Sequence, residues 1–363
     1  MMSGASLDVL TIQRKLEPPS LPQRLLARTR LVKRLEENRH RRLTLVCAPA
    51  GYGKTTLALQ WLASETSPTA WVSLDAADRD PMRFLKAVVA ALSRHPGCEF
   101  EQTNALLEST VSPPSQHVTE VLLAEFVASR KRITLVLEDY HLADGSRIHE
   151  LLENLLEAAP ENLRLVVLTR VDPPWPLARW RVRGLLSEIR ARDLCLTFRE
   201  TSGLLHDVWS IALEPDLLEL MHRRTEGWIA GLRLAQLTLS VASDPNRKAQ
   251  DLSGSDAHIA DYLVTEVLTG LSPAMREFLA ASALMDRFSV PLMEHVLAGT
   301  MEPEKIRQAF SELEKKNLFL VLLDDRREWF RWHHLFRDLL LVHLEDHIPS
   351  VRQSKINRDA GIW

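Results

Sequence analysis

Leu43-Thr44-Leu45-Val46-Cys47-Ala48-Pro49-Ala50-Gly51-Tyr52-Gly53-Lys54-Thr55-Thr56 decides the fold. A short apolar run enters a turn of small residues, and Thr55 opens a helical pattern that continues to Ala63. Strand, glycine-containing loop and helix, in that order, make a phosphate-binding loop. Glycines let successive backbone N–H groups face one centre, and the helix N-terminus adds its partial positive charge. Lys54 supplies a point charge for the β- and γ-phosphates of a nucleotide, and the Thr55 hydroxyl can ligate Mg²⁺. The loop departs from G-x-x-x-x-G-K-[ST] at one place, where Ala48 stands for the first glycine. Ala50, Gly51, Gly53, Lys54, Thr55 and Thr56 are therefore the expected contacts to ATP or ADP, with Mg²⁺ as the accompanying ion.

Four further apolar runs follow: Ala70–Leu74, Ile133–Leu137, Leu163–Leu168 and Leu194–Phe198. Near-continuous apolar strands alternating with helices predict an α/β unit with a five-stranded parallel sheet, order 5-1-4-3-2, covered on both faces. One intervening helix is well signalled. Asp80 can cap it, Pro81 suits the first turn, and Phe84, Leu85, Val88 and Leu92 share a face. The third strand ends in Leu137-Glu138-Asp139-Tyr140-His141, delivering acids beside the phosphate loop as a Walker B strand does. Glu138 is the expected metal partner with Thr55, and Asp139 can orient an attacking water. Asp is the commoner residue at the first position, so hydrolysis is expected to be slow. The fourth strand ends in Thr169-Arg170, and in that sheet order Arg170 sits between the loop and the acids, a candidate contact for the γ-phosphate.

After Phe198 the strand pattern stops, and helical periodicity runs to about Gly270 with a polar break at Ser243–Lys248. From Ser272 three helices (Pro273–Leu284, Val290–Leu297, Pro303–Lys316) precede two short strands, Leu318–Leu323 and Trp329–Trp332, joined by the charged turn Asp324–Glu328. Three helices plus a β-hairpin predict a winged helix. A last amphipathic helix is expected from His334 to Leu344, and the opening of another near the end of the sequence.

Composition narrows the classes. With 363 residues, two or three packed units are expected. Hydrophobic residues make up 45% and charged ones 26%, an ordinary globular balance. A formal charge of -3 gives no global field for nucleic acid or an anionic membrane. Cys47, Cys98 and Cys195 form no CxxC pair, which argues against a disulfide framework and a zinc site and for a reducing compartment. No apolar leader opens the sequence and no apolar run approaches a membrane span, so a cytoplasmic protein without membrane contact is expected.

Six ordered stretches, CAPAGYGKTTLALQW, VLEDYHL, LTRVDPPWPLARWR, TEGWIAGLRLA, IADYLVTEVL and WHHLFRDLL, together resemble the MalT-type, large ATP-binding LuxR-family transcriptional activators. These belong to the STAND class of signal-transduction ATPases, and the resemblance runs from about Lys15 to Trp363. It implies a nucleotide-binding α/β domain (1–198), an all-α helical domain (199–270), a winged-helix domain (271–350) and, from 351, the start of a helical-repeat region. It also implies that Arg28 lies against the nucleotide and that His333, in Trp332-His333-His334-Leu335, touches the β-phosphate of ADP. Gly231-Leu232-Arg233-Leu234 resembles the motif that closes over the adenine, with Arg233 where the family has proline. The resemblance further implies a regulatory switch, self-associating with ATP and resting with ADP, that turns nucleotide over slowly. DNA contact would then belong to a C-terminal helix-turn-helix that this sequence does not contain. The winged helix itself reads as a poor DNA reader, because Lys305, Arg307, Lys315 and Lys316 are balanced by Glu302, Glu304, Glu312 and Glu314. A constitutive AAA+-like ATPase and an inert truncated nucleotide-binding fragment remain the alternatives.

Overall fold

Parallel strands need crossovers, and the sequence supplies a helix between each successive pair. The computed structural model describes residues 13–363 except 66, 110–112, 130, 159–160, 241, 243, 270, 317, 325 and 344–347. The chain divides into two compact units, one formed by 1–48 with 53–194 and the other by 49–52 with 195–363.

In the first unit the order is α1 (Thr29–Glu37), β1 (Leu43–Cys47), α2 (Lys54–Leu62), β2 (Thr69–Ser73), α3 (Pro81–Leu92), α4 (Glu101–Glu108), α5 (Ser115–Ser129), β3 (Ile133–Glu138), α6 (Ser146–Ala158), β4 (Leu163–Thr169), α7 (Leu177–Val182), β5 (Leu186–Arg190) and α8 (Ala191–Leu194). The sheet runs β2-β3-β4-β1-β5, the expected order seen from the other edge. Every residue of β1 and β3 is buried, as central strands covered on both faces require. Val46 lies opposite Leu168 on one side and Ile189 on the other. Helix α3 starts as its residues dictate: Asp80 accepts the Arg83 N–H at 2.8 Å, Pro81 takes the first turn, and Phe84, Leu85, Val88 and Leu92 are buried.

The fifth strand corrects the sequence reading. Leu194–Phe198 is not a strand; β5 is Leu186-Ser187-Glu188-Ile189-Arg190. That edge strand carries polar residues because Glu188 pairs with Arg181 (2.7 Å) and with Arg190. The apolar residues of the rejected run are used differently. Leu194 closes α8, the Leu196 N–H donates to Gly227 O (2.9 Å), and Thr197 with Glu200 forms a capping box that starts the next helix.

In the second unit α9 (Phe198–Gly203) runs into a π-helical turn, Leu204–Val208. Then come α10 (Pro215–Thr225), α11 (Ile229–Ser240), α12 (Pro245–Gln250) and α13 (Ala257–Leu263), the last also continued by a π-helical turn, Val264–Leu268. The winged helix comprises α14 (Pro273–Ala283), α15 (Val290–Val296), α16 (Pro303–Lys316), β6 (Leu320–Leu322) and β7 (Phe330–Trp332), followed by α17 (His334–His343) and α18 (Ser350–Ile362). Ser272 and Ser289 cap α14 and α15, each followed by proline in the first turn. Phe278, Phe288, Phe310 and Trp332 fill its core, with ring centroids 5.1 Å apart for Phe278 and Phe310 and 5.3 Å for Phe288 and Trp332. Asp324 ties the hairpin turn by accepting the N–H groups of Glu328 and Trp329 at 3.1 and 2.8 Å. Gly270, Ser243, Asp325 and Leu344, named as expected boundaries or turn residues, lie outside the described residues. Among the described residues no helix is long and apolar enough to cross a membrane.

Candidate phosphate-binding site

Strand β1 delivers the chain to Ala48, and α2 begins at Lys54. The Lys54 side chain is buried, and its Nζ donates to Ala48 O at 2.8 Å. Burial first, and then the guanidinium of Arg170, lower its pKa to about 8. One residue on, Thr55 Oγ1 donates to Glu138 Oε1 at 2.6 Å. The second Glu138 oxygen accepts from Ser73 Oγ (2.7 Å) and Trp71 Nε1 (3.2 Å). These donors are set by register, since Ser73 at the end of β2 lies opposite Glu138 at the end of β3.

Asp139 follows in the left-handed region, φ 52°, a conformation that costs a non-glycine residue energy and turns the chain sharply at the strand end. The His141 ring lies 3.9 Å from the Asp139 carboxylate. Burial, then Arg170 and Lys54, push that ring down to about 4, so it is neutral at pH 7. Arg170 follows Thr169, which pairs with Cys47 across β4 and β1, and its charge is felt by both Lys54 and His141. Burial raises the Cys47 thiol to about 12, leaving it inert. Lys54, Thr55, Glu138 and Arg170 thus form one electrostatic neighbourhood. The Arg28 backbone N–H donates to Gln60 Oε1 and its guanidinium to Leu194 O, both at 2.8 Å. Thr56 is half-buried on α2.

Residues 49–52 belong to the second unit. Gly51 has φ 76°, its carbonyl accepts the Ala230 N–H at 3.0 Å, and a Cβ there would lie 2.5 Å from the Ala230 Cβ. Only glycine fits. Ala50 is half-buried beside it, and the Tyr52 ring lies 6.5 Å from Trp228 and 6.3 Å from Phe319. His333 is buried edge-on against Trp228 and Phe319. Burial lowers its pKa, so the neutral ring donates from Nε2 to Thr225 O (2.9 Å), and Nδ1 has no hydrogen-bond partner among the described residues. Next to it Glu226 takes Arg331 bidentately (2.7 and 2.8 Å) and the Nδ1 of His334 (2.7 Å). Burial alone would raise that carboxyl, but the hydrogen bonds from His334 and Arg331 hold it well below the usual carboxylate range. Arg233, where the family motif has proline, stacks over Trp209 at 5.6 Å.

Sequence reasoning missed Ser73 and Trp71. Their role depends on the pairing of β2 with β3, which no local signal reports. His141 was visible only as part of the acidic strand end.

The first unit is a P-loop NTPase fold, and the second carries a winged helix. Residues 264–352 match the MalT winged helix domain. The chain is 33% identical over 333 residues to the HTH-type transcriptional regulator MalT of Cronobacter sakazakii, covering 91% of this chain and 36% of that protein. It is 32% identical over 349 residues to the serine/threonine-protein kinase PknK of Mycobacterium tuberculosis, covering 95% of this chain and 31% of the kinase. In fold it is similar to the Walker-type ATPase PABY2304 of Pyrococcus abyssi, with a TM-score of 0.59 at 16% identity, covering 91% of this chain and 99% of that one. The protein is MalT-like across nine-tenths of its length, and it spans about a third of the length of those curated relatives.

Proposed function

We propose that this chain is the ATP/ADP-binding switch module of a MalT-like, ATP-dependent transcription regulator of the STAND class. The observation that carries the reading is the Thr55–Glu138 contact of 2.6 Å beside a buried lysine that closes a glycine loop. A hydroxyl and a carboxylate at that spacing are an oxygen-only donor pair, the chemistry a hard cation such as Mg²⁺ prefers, and such an ion needs few protein ligands. When bound, the ion would neutralise phosphate charge.

The chain's own residues divide the remaining work. Lys54 supplies charge to the terminal phosphates, and Ala50, Gly51, Gly53 and Thr56 shape the loop. Thr55 and Glu138 hold the ion, with Ser73 and Trp71 fixing the glutamate. Asp139 orients a water and Arg170 steadies the outermost phosphate. Arg28 and His333 enter as nucleotide contacts on the strength of the resemblance. In this reading ATP promotes self-association, ADP holds the resting state, and slow hydrolysis resets the switch. The relatives support a switch over a constitutive ATPase, since one carries the name of an HTH-type transcriptional regulator and another that of a kinase. A state passed to different outputs suits a shared module.

We place the domain limits at 1–198, 199–270, 271–350 and 351–363, and the protein in the cytoplasm. DNA contact falls to the helix-turn-helix of a longer regulator. Light scattering in Mg²⁺ with a slowly hydrolysed ATP analogue should give a larger particle than with ADP. Equal masses in the two nucleotides would rule the switch out.

A further inference from the structure

All five strands of the first unit begin at one end, and that end is not the end of the phosphate loop. The residues entering the strands there line an open cavity of about 510 Å³, within the range of small-molecule sites. Its lining is unusual in charge. Arg39, Arg41, Arg42, Arg132 and Arg164 meet only two carboxylates, Glu65 and Glu161, with His40 beside them.

One of these arginines is committed to the fold. Arg164 donates to Thr134 Oγ1 (2.7 Å), pairs with the buried Glu65 (3.0 Å) and lies over the Trp61 ring at 4.7 Å. Glu65 is thereby neutralised. The others are not spoken for in that way. Among the described residues the Arg39 side chain pairs only with Glu36, at 3.7 Å. Arg42 and Arg132 make no ion pair with another described residue. Arg41 is drawn in over Gly184, where a Cβ would sit 2.5 Å from its guanidinium, and its Nε is buried with no hydrogen-bond partner among the described residues. A buried N–H of a charged group left unmade is costly, and an anion is the partner that removes the cost.

We propose that this cavity is an anion site for a phosphorylated small molecule bearing at least two phosphate groups, with Arg41, Arg42 and Arg132 as its ligands. Planar guanidinium forks match phosphate oxygens bidentately, and several of them lining one cleft exceed what a single phosphate needs. Duplex nucleic acid does not enter a cavity of this size. The site stands apart from the phosphate loop and does not depend on the nucleotide reading.

The test separates the two sites. Pyrophosphate, without divalent cations, is titrated calorimetrically into Lys54→Ala protein, whose phosphate loop lacks its charge, and into the same protein carrying Arg42→Glu and Arg132→Glu. The expected result is binding to the first and a loss of about tenfold or more in the second. Arg42→Gln with Arg132→Gln should give an intermediate loss, and unchanged unfolding midpoints show that each variant folds. ADP binding to an otherwise unaltered chain with Arg42→Glu and Arg132→Glu should remain at the parental level. No uptake of pyrophosphate by Lys54→Ala protein, or equal uptake with and without the arginine changes, overturns the proposal. Fructose 1,6-bisphosphate and adenosine 3′,5′-bisphosphate, titrated separately into the Lys54→Ala protein, distinguish a sugar from a nucleotide source.

Discussion

Lys54 is the residue at which burial and charge conflict most directly. Burial and Arg170 bring its pKa to about 8, against 10.5 for an ordinary lysine. Between those values the unfolded chain binds the proton that the folded one has lost, so the first unit gains stability as pH rises through that window. Phosphate binding needs the charged amine and runs the other way. Nucleotide affinity should therefore weaken from about pH 8 upward, read by calorimetry between pH 7 and 10. Constant affinity up to pH 10 would remove Lys54 from the phosphate site. Glu138 separates binding from turnover. Glu138→Ala leaves Lys54 in place but strips the partner of Thr55, Ser73 and Trp71. It should keep nucleotide binding and lose Mg²⁺-dependent hydrolysis by about a hundredfold. Hydrolysis at the parental rate in single-turnover assays would mean that another acid does this work.

Elements differ in how openly the sequence declares them. Strands β1, β3 and β4 were legible because central parallel strands are buried on both faces and read as unbroken apolar runs, and the edge strand β2 because Ala70, Trp71 and Val72 form a buried apolar run of their own. Strand β5 was not, because an edge strand tolerates Glu188 and Arg190, while a more apolar run stood just after it. Thr197 and Glu200, spaced as a capping box, were the local signal that this later run ends in a helix start. The winged helix was legible from its order of elements, three helices followed by two short strands joined by a charged turn. The Glu226 junction was not, because its partners Arg331 and His334 lie more than a hundred residues away. Glu226→Gln should destabilise the second unit at neutral pH by about 1–3 kcal/mol. The parent's contribution is fully present above the ordinary carboxylate pKa of 4.5 and is lost as pH falls below it, because the folded value is depressed. The difference between parent and variant, measured by thermal unfolding, should therefore shrink as pH falls from 5 towards 3. A difference independent of pH would show that the ion pair is not its source. Gly51→Ala should impair nucleotide binding, since φ 76° and the Ala230 Cβ leave no room for a methyl group. Parental affinity in that variant would show that the loop relaxes freely.

For the molecule as a whole, charge argues against DNA binding by this chain alone. Its net charge is -3, and Arg307 of α16 is held by Glu294 at 2.6 Å. A gel shift should show no complex that survives competitor DNA at moderate salt, whereas weak association lost as salt rises is ordinary electrostatics. A competitor-resistant complex would make the winged helix itself a reader of DNA sequence. The proposed switch depends on one earlier event, the capture of a nucleotide by the loop between β1 and α2. Calorimetric titration of ADP and of ATP into the parent chain and into Lys54→Ala tests it most directly. Saturable binding of both nucleotides to the parent, with neither detectable in Lys54→Ala protein of parental folding, is the result expected. Equal affinity in parent and variant would contradict the account.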